Sequence, residues 1–316
     1  MDKRRLGSTT FEVAPLAFGG NVFGWTADEA MSFKLLDAFV GEGFNLIDTA
    51  DSYSRWVKGH EGGESEAIIG RWLARRKKRN DVIIATKVGS DMGQGHKVLR
   101  KDYILQAAEA SLRRLQVDCI DLYQSHWDDE NTPLEETLGA YEQLLQQGKV
   151  KAIGASNLSA PRLAQALETS RTEGLPRYAT LQPHYNLYER TSFEGELQAL
   201  CVREGVGVIT YFSLAAGFLT GKYRSPADFA KSARGEGMKK FMNDRGFRIL
   251  DALASVGKRL AATQAQVALA WLMARPGVTA PIASATSGAQ LDELLGAVAL
   301  KLDADAVRAL DAASAP

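Results

Sequence analysis

Four side chains able to handle protons fall at or just beyond the ends of three short apolar runs. GFNLIDTADSY carries Asp48 at the end of residues 44–48 and Tyr53 five residues later; VIIATK ends in Lys87; CIDLYQSHW reaches His126. Singly, each has an ordinary explanation: an acid or a lysine after a strand usually belongs to a loop, and a single histidine usually satisfies a core hydrogen bond. Three consecutive strands that bring an acid, an amine and an imidazole to one rim, with a phenol beside them, are a far more specific combination. A tyrosine with a reference pKa of about 10 is a poor proton donor at neutral pH unless a cation lies close. Lys87 is expected to be that cation, with Asp48 holding its ammonium as an ion pair. His126 is expected to orient a carbonyl oxygen or stabilise charge growing on it. The chemistry is protonation of an alkoxide as it forms. No side chain supplies hydride, so a nicotinamide cofactor is required.

Such a rim needs parallel strands that all end at one face. Strand patterns occur at residues 16–19, 44–48, 82–87, 120–126, 150–156, 179–182, 206–211 and 278–284. Helical patterns lie between them, among them 27–41, 65–76, 102–115, 133–146, 160–169 and 192–203. Thr132-Pro133 places proline at a first helical position ahead of Glu135 and Glu136, and Ser159-Ala160-Pro161 is similar. Eight strands each followed by helix is the count of a closed parallel barrel, with a doubly wound sheet as competitor. No G-x-G-x-x-G occurs, since Gly93-Gln94-Gly95 is followed by Val98 where the third glycine should fall. Polar residues at nearly every strand end also favour the barrel. The expectation is an α/β chain forming a (β/α)8 TIM barrel over residues 1–316 as a single domain, with residues 3–13 as an N-terminal β-hairpin plugging its bottom.

Composition narrows the partners. The 316 residues carry 38 basic and 38 acidic side chains, 45% apolar and 24% charged. Zero net charge argues against a nucleic-acid binder. The longest apolar run, residues 267–274, is far short of the about 20 residues that cross a bilayer, so no membrane partner is expected. No targeting segment is recognisable, and Cys119 and Cys201 read as two buried thiols, which together suggest the cytoplasm. Four histidines without metal spacing imply no metal. Gly217-Phe-Leu-Thr-Gly221-Lys222 is one residue short of a phosphate-binding Walker loop. The basic run 71–79 reads as a solvated helix end, where cations suit the dipole. Residues 222–248 hold eight basic side chains against three acidic, which suits a small anionic cofactor better than a long polyanion.

The sequence resembles the aldo-keto reductases over nearly its whole length, most specifically in GFNLIDTADSY…GESEAIIG, where Asp48, Tyr53, Lys87 and His126 match that family's catalytic tetrad. The resemblance implies Tyr53 as general acid and NADPH bound in extended form without a Rossmann motif. It also implies cofactor contacts residue by residue. Ser156 and Asn157 in GASN, with Gln182 in LQPHYN, match the contacts to the nicotinamide amide, and Tyr211 matches the aromatic stacked on its ring. Phe212, Ser213 and Leu214 stand where the family often reads Ser-Pro-Leu, at the pyrophosphate contacts. Gly217, Leu219 and Lys222 resemble the phosphate-covering loop, and Ser284, Thr286, Gln290 and Glu293 the adenosine clamp.

One position departs from the pattern: many members carry Arg or Lys where this chain has Thr286, and that cation pairs with the 2′-phosphate. Arg234 is expected to reach the same phosphate, which favours NADPH with NADH as the alternative. Trp25 and Trp127 are expected to line a pocket for an apolar or aromatic aldehyde; Trp56 reads as loop packing. Residues 52–64 and 222–248 read as loops that set specificity. The resemblance thus implies NADPH-dependent reduction of a small-molecule carbonyl compound. The alternatives are an NAD(P)+-dependent sugar or aryl-alcohol dehydrogenase and, behind both, a cofactor-binding regulatory subunit such as the potassium-channel β subunits. Natural substrate and oligomeric state are not legible.

Overall fold

Side chains alternate across a strand with period two, and that alternation decides where this barrel keeps its chemistry. The computed structural model describes residues 1–76 and 78–316. A hairpin of β1 (Arg4–Arg5) and β2 (Glu12–Val13) precedes eight parallel strands: β3 (Ala17–Gly19), β4 (Leu46–Asp48), β5 (Ile83–Val88), β6 (Ile120–Ser125), β7 (Val150–Ser156), β8 (Thr180–Gln182), β9 (Gly207–Thr210) and β10 (Val278–Ala283). Each pairs with the next, and β10 returns to β3 with Ile282 opposite Ala17, so the ring is closed. The helices are α1 (Glu29–Gly41), α2 (Glu64–Arg75), α3 (Lys101–Leu115), α4 (Leu134–Gln146), α5 (Ala160–Glu173), α6 (Glu196–Glu204), α7 (Asp244–Leu260), α8 (Gln264–Met273), α9 (Gly288–Gly296) and α10 (Ala304–Ala313). This is the (β/α)8 barrel with an N-terminal hairpin that the strand-and-helix alternation implies.

Two apolar cores follow from the alternation. Leu46, Ile83, Ala85, Leu122, Ile209, Ala280 and Ile282 form the inner one, joined by Leu6 and Val13 of the hairpin, which plug the barrel. Their strand neighbours Ile47, Ile84, Tyr123, Leu181 and Val208 face the helices in the outer one. Two residues past the inner apolar layer, the inward face changes character. Asp48, Lys87 and Gln124 stand two positions beyond Leu46, Ala85 and Leu122, fully or almost fully buried. Polar residues on the outward face are held differently. Thr86 donates to Glu66 of α2 (2.6 Å), and Ser125 bonds Tyr141 and Tyr178, both at 2.8 Å.

Several local expectations shift. Pro133 is the residue before α4 rather than its first member: its extended backbone (ψ 141°) leaves its carbonyl to accept from Glu136 and Thr137. The helix expected over 192–203 starts at Glu196, because Gly195 is left-handed (φ 93°). Residues 222–248 are not one loop. Ser225 and Asp228 cap a 3-10 turn (Pro226–Lys231), a second follows (Gly235–Phe241), and Asn243 caps α7, which begins inside the range. Cys201 is buried, but Cys119 is only half-buried, beside Ile120 at the start of β6. In the basic run 71–79, residues 71–75 close α2, whereas Lys77 lies outside the described residues. No described helix is long and apolar enough to cross a membrane.

Just past β4, Asp51 is buried with Oδ1 lacking any partner among the described residues. Burial, then the nearby charge of Glu66, pushes its pKa up to about 8. Between pH about 4, where an unfolded aspartate titrates, and about 8, the folded chain holds a proton that the unfolded chain has released. Stability from this group is therefore complete below the unfolded value and drains away as pH rises through the folded one. Asp51→Asn keeps the neutral shape and removes the drain. Between pH 5 and pH 8 the urea midpoint of the parent should fall more than that of the variant; equal falls would show that Asp51 is already ionised.

Candidate functional site

The inward-facing strand ends converge on one buried ion pair. Lys87 Nζ donates to Asp48 Oδ2 (2.7 Å), to the Thr49 carbonyl (2.8 Å) and to the Tyr53 hydroxyl (2.8 Å), which uses all three ammonium protons. Tyr53 in turn donates to Asp48 Oδ2 (3.2 Å). Asp48 Oδ1 accepts from Gln182 Nε2 across the barrel (2.8 Å). The pair is inaccessible, since Lys87 is fully buried and Asp48 is 1% exposed. Burial, opposed by Asp48, lowers the lysine's pKa.

The tyrosine's titration runs opposite to the expectation from Lys87. Burial first, and then the charge of Asp48, push its pKa well above the ordinary value, with Arg234 pulling the other way. The resting site therefore holds the phenol protonated. Burial and the Lys87 charge push His126 well below its ordinary pKa, so the imidazole is neutral at pH 7. Ser52 Oγ donates to Ser90 Oγ (3.3 Å), which lies 2.9 Å from His126 Nδ1. With the Ser90 hydroxyl donating to Nδ1, the ring proton sits on Nε2. The backbone of His126 is fixed from both sides: its amide donates to the Val88 carbonyl (2.7 Å), and its carbonyl accepts from Asn157 Nδ2 (2.9 Å).

These groups open on a cavity of about 770 Å³. Tyr53, Asp48 and His126 line it, while Lys87 sits beneath them. A second hydrogen-bond chain runs along the wall. Tyr211 donates to Asn157 Oδ1 (2.7 Å), Asn157 Nδ2 to Ser156 Oγ (3.0 Å) and Ser156 Oγ to the Gln182 carbonyl (2.8 Å), reaching the residue that holds Asp48. The Tyr211 ring is backed by His184, with centroids 5.2 Å apart. Of the other residues matched to cofactor contacts, Phe212, Ser213, Leu214, Gly217, Lys222, Arg234, Ser284, Thr286, Gln290 and Glu293 all line the same cavity. Leu219 does not; it is fully buried in the outer core. Trp127 lines the cavity, stacked on His126, but Trp25 packs edge-on behind Trp56, which supplies the lining instead.

The cavity suits an extended anionic cofactor on its donor chemistry. Lys222, Lys231 and Arg234 face it, against Glu293 and the already neutralised Asp48. Ser287 caps the N-terminus of α9 beside Thr286 and Gln290, an arrangement that favours anions. Gly19 holds the wall back, since a Cβ there would sit 2.5 Å from Ser284 Oγ. Among residues 212–217, Phe212, Ala215, Ala216 and Gly217 are all left-handed (φ 52°, 48°, 56° and 103°), three of them without the freedom of glycine. Such strain persists only where surroundings enforce it and gathers at functional walls. Sequence reasoning missed that run, together with Asn21, whose Oδ1 accepts from Ser284 (2.7 Å), and Ser90 behind His126. Asn21 follows the first barrel strand directly, the same signal that marked Asp48.

Residues 15–315 match the aldo/keto reductase family, and the chain belongs to it. Members are oxidoreductases acting on small-molecule carbonyl compounds and typically bind nicotinamide cofactors. The chain is 34% identical to the uncharacterized oxidoreductase YrpG of Bacillus subtilis over 98% of its own length and 95% of that protein's. It is 32% identical to Protein tas of Escherichia coli over 99% and 97%. A probable voltage-gated potassium channel subunit beta of Arabidopsis thaliana is 31% identical over 94% and 91%.

Proposed function

We propose that the protein reduces aldehydes or ketones to alcohols with NADPH. The observation that carries this reading is the protonated phenol of Tyr53, bonded to Lys87 at 2.8 Å at the edge of the cavity. NADPH, when bound, supplies the hydride. Ser156, Asn157 and Gln182 would hold its carboxamide, Tyr211 its ring, and Lys222, Thr286, Gln290 and the start of α9 its phosphates. Tyr53 passes its proton to the carbonyl oxygen, and His126 Nε2–H donates a hydrogen bond to the same oxygen as charge grows there. Lys87, already bonded to the phenol, stabilises the phenolate left behind, and Asp48 keeps the ammonium in place. Oxidation of an alcohol by the same residues needs the phenolate as base. Because burial and Asp48 hold Tyr53 protonated, the resting site stands ready to donate a proton, and catalysis of oxidation requires the phenol to lose it first.

A panel of aldehydes and alcohols, run with both cofactors and read by nicotinamide absorbance, tests this. Carbonyl-dependent oxidation of NADPH is expected, faster than with NADH, with alcohol oxidation rising only at alkaline pH. Equal or better use of NADH would sink the cofactor preference. Tight NADPH binding without turnover of any carbonyl compound would favour a regulatory subunit.

A further inference from the structure

Two polar side chains inside the barrel have nothing to bond. Gln124 and Thr180 are both fully buried. Neither Nε2 nor Oε1 of Gln124, nor Oγ1 of Thr180, meets a hydrogen-bond partner among the described residues. The strand register brings the two together. Lys87 pairs with Gln124, Gln124 with Gly154 and Gly154 with Thr180, so the four stand in one row across β5 to β8. Gly154 has no side chain, and its neighbours close over it: a Cβ there would lie 2.1 Å from Thr180 Oγ1 and 3.1 Å from Gln124 Cγ. Gly154 and Thr180 stand one inward position below Ser156 and Gln182, which line the large cavity. Gln124, Gly154 and Thr180 do not line it, so nothing bound in that cavity supplies their hydrogen bonds.

A buried polar group without a partner carries its full desolvation penalty, and such groups are rare in folded proteins. The surroundings offer no relief. Ala85, Leu122 and Ala152, the next inward residues down these strands, are apolar, and Lys87 spends all three ammonium protons on Asp48, Thr49 and Tyr53. The missing partner must both give and take hydrogen bonds, because Gln124 Nε2 donates, its Oε1 accepts and a threonine hydroxyl does either. A cation there would face the Lys87 ammonium in the adjoining register position, and an anion would face the carboxylate of Asp48 paired with it. A neutral molecule of the smallest size, with two donors and two acceptors, meets every requirement.

We propose that Gln124 and Thr180 form a binding site for internal water, over Gly154 and one strand away from Lys87. The water gives the Lys87–Asp48 pair a polar floor that the apolar layer beneath does not provide.

Thr180→Val tests this, because valine keeps the shape and removes only the hydroxyl. If water bonds Thr180, the variant's unfolding constant, from urea titration, should rise about fivefold or more with m unchanged. Gln124→Met, of similar length, carries the same prediction from the other side of the site, and both leave Asp48, Lys87 and Tyr53 in place. A dry site predicts the opposite sign: removing an unbonded hydroxyl is neutral or stabilising, and that result would overturn the proposal. Oxygen-17 relaxation dispersion, which counts waters held longer than the protein tumbles, reads the occupant directly. Gln124→Met/Thr180→Val should hold at least one long-lived water fewer than the parent. An equal count in the two proteins would also overturn the proposal, whatever the stabilities.

Discussion

Replacing Tyr53 by phenylalanine should leave a folded barrel that binds NADPH and barely turns over. The ring keeps its place beside Trp56 and His126, and Lys87 loses one acceptor of three while retaining Asp48 and the Thr49 carbonyl. What disappears is the only proton donor among the described residues that both faces the cavity and bonds the buried ammonium. General acid catalysis is worth about 10²–10⁴ in rate, so kcat should fall into that range while the Kd for NADPH moves little. A kcat fall without a matching rise in KM is what an interaction made only in the transition state produces. Full activity in the variant would remove Tyr53 from the mechanism.

Asp48→Asn should damage the protein in a second way. Lys87 and Asp48 are both out of water, and the amide that replaces the carboxylate turns a donor toward either Lys87 or Gln182, each itself a donor. Breaking one half of a buried pair costs about 3–5 kcal/mol, because the remaining charge is left uncompensated. The urea midpoint should drop accordingly. Removing the stranded cation as well, in Asp48→Asn/Lys87→Met, should recover part of the loss without recovering turnover, a coupling that a double-mutant cycle isolates. Burial already lowers the pKa of Lys87, so stability lost by the single variant should return partly as pH rises and the amine sheds its proton. A loss below about 1 kcal/mol would mean that water reaches the pair.

The barrel and the polar rim at its strand ends were legible because both rest on periodicity. Strands alternate inside and outside, so a polar residue at the end of an apolar run is visible as an exception, and Asp48, Lys87, Ser156 and Gln182 all carry that mark. What the loops do was less legible, for physical reasons. Trp25 and Trp56 are the same residue type in similar surroundings, and only the edge-on packing between them determines which one reaches the cavity. The left-handed run at residues 212–217 has a single glycine to announce it. The sign of the Tyr53 shift depends on a contest between burial and neighbouring charges, and the spacing of Asp48, Tyr53 and Lys87 names the charges without measuring the burial. Arg234 was legible as a cation near an anion site, but its place over the Trp25 ring on the cavity wall is a tertiary fact.

The pairing of β10 with β3 has a temporal consequence. Asn21 and Ser284 are bonded across that seam at 2.7 Å although 263 positions separate them in the chain. While the chain is being synthesised, the wall they share cannot exist until Ser284 has left the ribosome. The strand ends that hold Asp48, Lys87 and His126 emerge far earlier, while the edges of the arc still lack the backbone pairing that β10 supplies. Activity should therefore arrive all at once, with closure of the ring, and a nascent chain stalled before residue 278 has these side chains without a closed cavity around them.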